Sequence, residues 1–142
     1  MNHPAIDPST APYAALVMRL ALGTMFIAHA LLKVFVFTIP GTVAFFEQIG
    51  FPGWLAYVTI AAELGGGLLL VLGVWTRYVA LALIPVLLGA LSVHLGNGWV
   101  FSAPNGGWEY PAFLAVASLA QALLGDGAYA LRPSPLPRPA LA

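Results

Sequence analysis

The residues able to do chemistry in this chain are few, and most stand inside apolar runs. Glu63 lies in AAELGGGLLLVLG, residues 61–73, where every neighbour is apolar or glycine. A carboxylate at the centre of a lipid-spanning helix costs about 2.5–3.5 kcal/mol on insertion scales, so a chain that keeps one needs a partner or a task for it. Arg19, His29 and Lys33 share an earlier apolar stretch. At 100° per residue they fall within an arc of about 80° on one helical face, with Gly23 and Phe26 on the same stripe. Such a stripe faces protein interior rather than lipid, although Arg19 and Lys33 lie near helix ends where long side chains snorkel. Further on, His94, Trp99, Trp108 and Glu109 gather around GNGWVFSAPNGG, residues 96–107.

Two chemistries suit Glu63. It can form a buried structural ion pair with Arg19: counting from the ends of the two apolar runs leaves an axial offset of about 6 Å, which two long side chains close. It can instead take up and pass on protons, with His29 and Glu109 as the other catalytic candidates. Glu109 also suits a helix start, where negative charge is favoured and Pro111 fits the first turn. Lys33, His94, Trp99 and Trp108 are the candidate substrate-binding residues of a polar pocket near the outer face. Two histidines raise the question of haem. His29 and His94 differ in axial height by about 9 Å, awkward for two ligands on one iron. With no cysteine there is no CxxCH attachment site, and no HExxH-like spacing exists, so neither metal nor haem is expected.

The elements that must position these residues follow from composition. Of 142 residues, 61% are hydrophobic and 7% charged, and the net charge is zero. Soluble domains carry about 25% charged residues, so lipid is the main solvent here and a basic nucleic-acid face is excluded. Four apolar runs approach the roughly 20 residues a span needs: Tyr13 to Phe37, Trp54 to Trp75, Tyr78 to Leu95, and Trp108 to about Leu124. The expected fold is all-α: an integral membrane four-helix bundle, up-down-up-down. TVAFFEQI supplies a short interfacial helix between the first two spans, and Pro85 is expected to kink the third. Gln121 reads as a hydrogen-bonding group between helices. Residues 1–12 and 132–142 read as a polar and a proline-rich tail, poorly ordered, around a transmembrane domain at 13–131. No cleavable signal peptide is expected in the first twelve residues. Arg19, Arg77, Arg132 and Arg138 fall on one side and Lys33 on the other, which puts both termini in the cytoplasm of a multi-pass protein.

Several segments resemble the DoxX family of small four-helix membrane proteins. They are RLALGTMFIAHALLK at 19–33, FFEQIGFPG at 45–53, AELGGGLLLVLGVWTR at 62–77, VHLGNGW at 93–99 and NGGWEYP at 105–111. One departure is Ala30, where the family pattern has glycine after the histidine. The resemblance implies a bacterial or archaeal plasma (inner) membrane. It also implies a likeness to the membrane subunit of a thiosulfate:quinone oxidoreductase. On that reading the chain is a quinone-linked oxidoreductase subunit, with a quinone headgroup in the outer pocket and a partner redox subunit or a homo-oligomer in the bilayer. The alternative is a non-catalytic accessory or assembly subunit of a larger membrane redox complex.

Overall fold

The structure, a computed structural model, describes residues 6–135. Arg138 and the outer parts of both expected tails lie outside the described residues. Among the described residues the chain is helical, with five α-helices and a single isolated bridge between Val74 and Arg132. They are α1 (Ala11–Leu31), α2 (Ile39–Gln48), α3 (Trp54–Leu72), α4 (Thr76–His94) and α5 (Glu109–Leu124). α1 runs straight into a π-helical turn, Leu32–Val36. α4 passes through Pro85 as one continuous helix and ends in a short 3-10 turn, Leu95–Asn97.

Three stretches are long and apolar enough to cross a membrane: Ala11–Val36, Trp54–Leu72 and Thr76–Asn97. α5 has 16 residues. That is about 24 Å of helix, short of a hydrocarbon layer about 30 Å thick. Val17, Phe35, Phe113, Val116 and Leu123 lie on the outside, each more than half exposed. Arg19, Thr76, Ser118 and Gln121 are almost fully enclosed. Apolar surface outside and polar groups inside is the distribution lipid selects, since water would not tolerate the first nor hydrocarbon the exposure of the second.

α1 packs chiefly on α3, and α4 on α5. The first contact is a close approach of backbones at Gly23 and Gly67. A Cβ on Gly23 would stand 2.7 Å from the Gly67 carbonyl, and one on Gly67 would stand 2.8 Å from the Gly23 carbonyl. Without glycine at both places the helices would be forced apart, which is how small residues set crossings between spans. The apolar core beside this crossing contains Leu22, Phe26, Leu70, Leu83, Leu87 and Leu114.

The start of α1, the ends of α3 and α5, and the start of α4 meet at one end of the molecule. Here the arginines act as helix caps. Arg19 Nη1 donates to the carbonyls of Leu70 (3.2 Å) and Val71 (2.8 Å) in the last turn of α3, and Nη2 donates to Ala128 O at 2.8 Å. Arg77 Nη1 donates to the carbonyls of Ala122 (2.8 Å) and Leu123 (3.1 Å) at the end of α5. The last carbonyls of a helix lack partners and its C-terminus carries partial negative charge, so a guanidinium satisfies both needs. Gln121 does similar work within α5, donating to Gly125 O at 2.8 Å rather than reaching another helix.

Residues 125–135 form an ordered strap over this end. Leu131 N–H donates to Leu72 O, Arg132 N–H to Gly73 O, and Trp75 N–H to Arg132 O. The first four residues of the expected C-terminal tail therefore belong to the folded body. Asp126 pins the strap: its carboxylate accepts from the Thr76 N–H, the Ser134 N–H and the Ser134 hydroxyl, each at 2.9 Å. Burial pushes the Asp126 carboxyl up, but the hydrogen bonds from Ser134 and Thr76 prevail and hold it below the ordinary carboxylate value.

Candidate functional site at the histidine end

The opposite end is built from the end of α1, the end of α4, the start of α5 and the loop at 98–107. α1 carries His29 and Lys33 one turn apart on one stripe, as 3.6-residue periodicity requires. The π turn then widens the helix at Lys33, and Phe37 N–H bonds back to Leu32 O. Extra-wide turns of this kind recur at functional positions. The Thr42 hydroxyl of α2 lies 3.0 Å from the Lys33 carbonyl and 2.9 Å from Thr38 O, and donates its one hydrogen between them.

Lys33 is the partner of Glu63. Its Nζ lies 2.9 Å from Oε1 and 2.8 Å from Oε2. The side chains are 19% and 8% exposed, and this is the one salt bridge among the described residues. The expected Arg19–Glu63 pair is thus replaced by Lys33–Glu63. The physical reason is axial. Arg19 reaches α3 at Leu70 and Val71, seven to eight residues beyond Glu63, which is about 11 Å along the helix.

His29 stacks on Tyr110 of α5, with ring centroids 5.6 Å apart and planes 25° apart. His29 Nδ1 is 2.8 Å from Met25 O. His94 Nδ1 is 3.1 Å from both Asn105 O and Gly106 O. Asn97 donates to the same two carbonyls, at 3.1 and 2.9 Å, and so steadies the loop against the end of α4. The two histidines share a recess of about 310 Å³ with Tyr110, Phe101, Pro111 and the Gly106–Gly107 turn. That volume is at the lower end for a small-molecule site and holds a single-ring headgroup.

The other expected site residues stand outside this lining and have structural partners. Glu109 accepts the Phe101 N–H at 2.7 Å, and its own N–H donates to Trp99 O. Trp99 and Trp108 pack edge to face, with centroids 4.5 Å apart. Together they clamp the loop against the start of α5. Gly107 sits inside the clamp, where any Cβ would collide with the carbonyls of Trp99 and Val100. Sequence reasoning passed over Tyr110, whose signal was its place one residue after Glu109 in WEYP. It also passed over Asp126 in GDG at 125–127, although an aspartate between two glycines is a usual loop anchor.

These features define a helical membrane protein with a recess at one end that His29 and His94 help to line. Residues 14–95 match the DoxX family. The chain is also 35% identical, over 119 residues, to the Bacillus subtilis (strain 168) protein named "Putative oxidoreductase CatD", covering 83% of this chain and 84% of that one. The chain belongs to the DoxX family. No solved structure matches it.

Proposed function

We propose that this protein is a quinone-linked membrane oxidoreductase subunit whose histidine recess receives the quinone headgroup. The carrying observation is the recess itself. Two imidazoles are held by backbone carbonyls with their outer edges uncommitted, and an aromatic ring is stacked on one of them. Membrane placement supports a lipid-soluble ligand, and the printed name of the Bacillus subtilis relative supports redox chemistry.

In this reading α5 crosses the bilayer as well, with the 98–107 cap and the 125–135 strap making up its shortfall in length. The spans then run up, down, up and down, and α2 lies in the interface. The arginine end, with both termini, faces the cytoplasm, and the recess opens toward the outer face of the plasma membrane. Glu63 and Glu109 hold structure, because Lys33 and the Phe101 N–H already occupy them. Electrons come from a partner subunit, which fits a chain without cysteine. The accessory reading draws on the same engagement of the carboxylates and differs only in leaving the recess idle.

The test uses anaerobic native membrane vesicles with thiosulfate as the first donor and a soluble benzoquinone, with quinone reduction followed by absorbance. Wild type should reduce quinone, and His94→Phe and His29→Phe should lower the rate at least tenfold with expression and helicity unchanged. Equal rates in all three would reject the recess as the site and favour the accessory role.

A further inference from the structure

The hydrogen bonds at the two histidines define which nitrogen carries the proton. A backbone carbonyl only accepts. His29 Nδ1 faces Met25 O, so Nδ1 bears the hydrogen. His94 Nδ1 faces two carbonyls, Asn105 O and Gly106 O, and bears one too. The Asn97 amide nitrogen, 3.5 Å from His94 Nδ1, already donates its two hydrogens to those same carbonyls and leaves none for the ring. In each neutral ring the second nitrogen, Nε2, is then a bare lone pair. Neither Nε2 has a partner among the described residues, and neither is among the atoms sealed from solvent, while both rings line the recess. The Tyr110 hydroxyl, on the ring stacked against His29, is buried without a partner.

The recess therefore presents two acceptors, and the Tyr110 hydroxyl, sealed from solvent, is not offered to a ligand. A quinone carries carbonyl oxygens, which accept only, and would set lone pair against lone pair at both histidines. A hydroquinone carries two hydroxyl donors at opposite ends of one ring. We infer that the recess selects the hydroquinone over the quinone, with His29 Nε2 and His94 Nε2 as the acceptors. This rests on the reading of the recess as a quinone site and adds its redox preference. A matched hydrogen bond is worth about a factor of ten in affinity. By linkage, each tenfold preference for the reduced form raises the midpoint potential of the bound couple by about 30 mV, which draws electrons toward the recess.

The experiment measures binding, not turnover. The full chain in lipid nanodiscs is titrated anaerobically by calorimetry with 2,3-dimethoxy-5-methyl-1,4-benzoquinone and, separately, with its hydroquinone. The hydroquinone should bind about tenfold or more tightly than the quinone. His29→Phe and His94→Phe should each abolish the preference while weak quinone binding persists. If a variant does not fold, the wild-type ratio alone decides. Equal binding of the two forms, or tighter binding of the quinone, overturns the redox preference and leaves the quinone site standing. Binding of neither form overturns both.

Discussion

Removing the charge of Lys33 should be more damaging than removing that of Glu63. Both Glu63 oxygens are bonded to one ammonium, and the carboxylate is the more enclosed partner, 8% exposed against 19%. Lys33→Met keeps the stem and deletes the counter-charge, which leaves an enclosed carboxylate alone. Loss of one partner from a buried pair costs about 3–5 kcal/mol. Glu63→Gln leaves an ammonium on a flexible stem that can swing toward the nearby interface, and the loss is that of charged hydrogen bonds, roughly 1.5–3 kcal/mol. The double variant removes both charges and should recover about 2 kcal/mol relative to the sum of the single changes. The four proteins, unfolded reversibly in mixed micelles with rising dodecyl sulfate and followed by circular dichroism, complete the cycle. Additive effects, or a Lys33→Met protein within about 0.5 kcal/mol of wild type, would refute the pair as a structural device. The same Glu63→Gln protein separates register from proton transport. As a register device it loses stability while the surviving protein keeps any quinone chemistry.

Two further outcomes follow from the loop clamp and the strap. Gly107→Ala should release the 98–107 loop, because its Cβ has no room beside the Trp99 and Val100 carbonyls; hydrogen exchange at Phe101 and Trp108 should rise at least tenfold, and protection as in wild type would contradict the clamp. Asp126 has its folded pKa below the unfolded value, so its contribution is present above about pH 4 and is lost as pH falls through the lower, folded value. Protection of the amides at 125–135 should therefore fall below about pH 4 in wild type, whereas Asp126→Asn should lack that pH dependence and show weaker protection at pH 7.

What was legible in the sequence was whatever depends on composition and axial rise. Three long apolar helices and the Arg19–His29–Lys33 stripe both follow from those two properties. Partner choice depends on rotation about each helix and on where helices stop, and hydropathy blurs both. Ends taken at the edges of the apolar runs bring Arg19 and Glu63 within about 6 Å in height, whereas the actual contact of Arg19 is the last turn of α3. The π turn at Leu32–Val36 has no signature in composition, yet it shapes the backbone from which Lys33 reaches Glu63. The histidines showed the opposite weakness. Axial counting separates them by about 9 Å, awkward for one iron, but a recess shared through Tyr110 and the Gly106–Gly107 turn needs no common ligand atom. Asp126 was hidden because a turn motif declares a bend and not the groups it will hold.

The two ends differ in what kind of ligand they can serve. At the arginine end, guanidinium groups are turned onto helix carbonyls and the carboxylate of Asp126 onto backbone and hydroxyl donors. At the histidine end, Lys33 is neutralised by Glu63 and Glu109 is tied to the loop. What remains uncommitted there is the outer edge of two imidazoles. The recess has no lysine or arginine in its lining to draw an anion from water, since that takes a net charge or a set of donors free to aim at it. It distinguishes ligands by hydrogen-bond direction instead. On the proposed reading, an anionic electron donor such as thiosulfate has its binding site on a partner subunit, and the recess is left to the headgroup of a lipid-soluble ring.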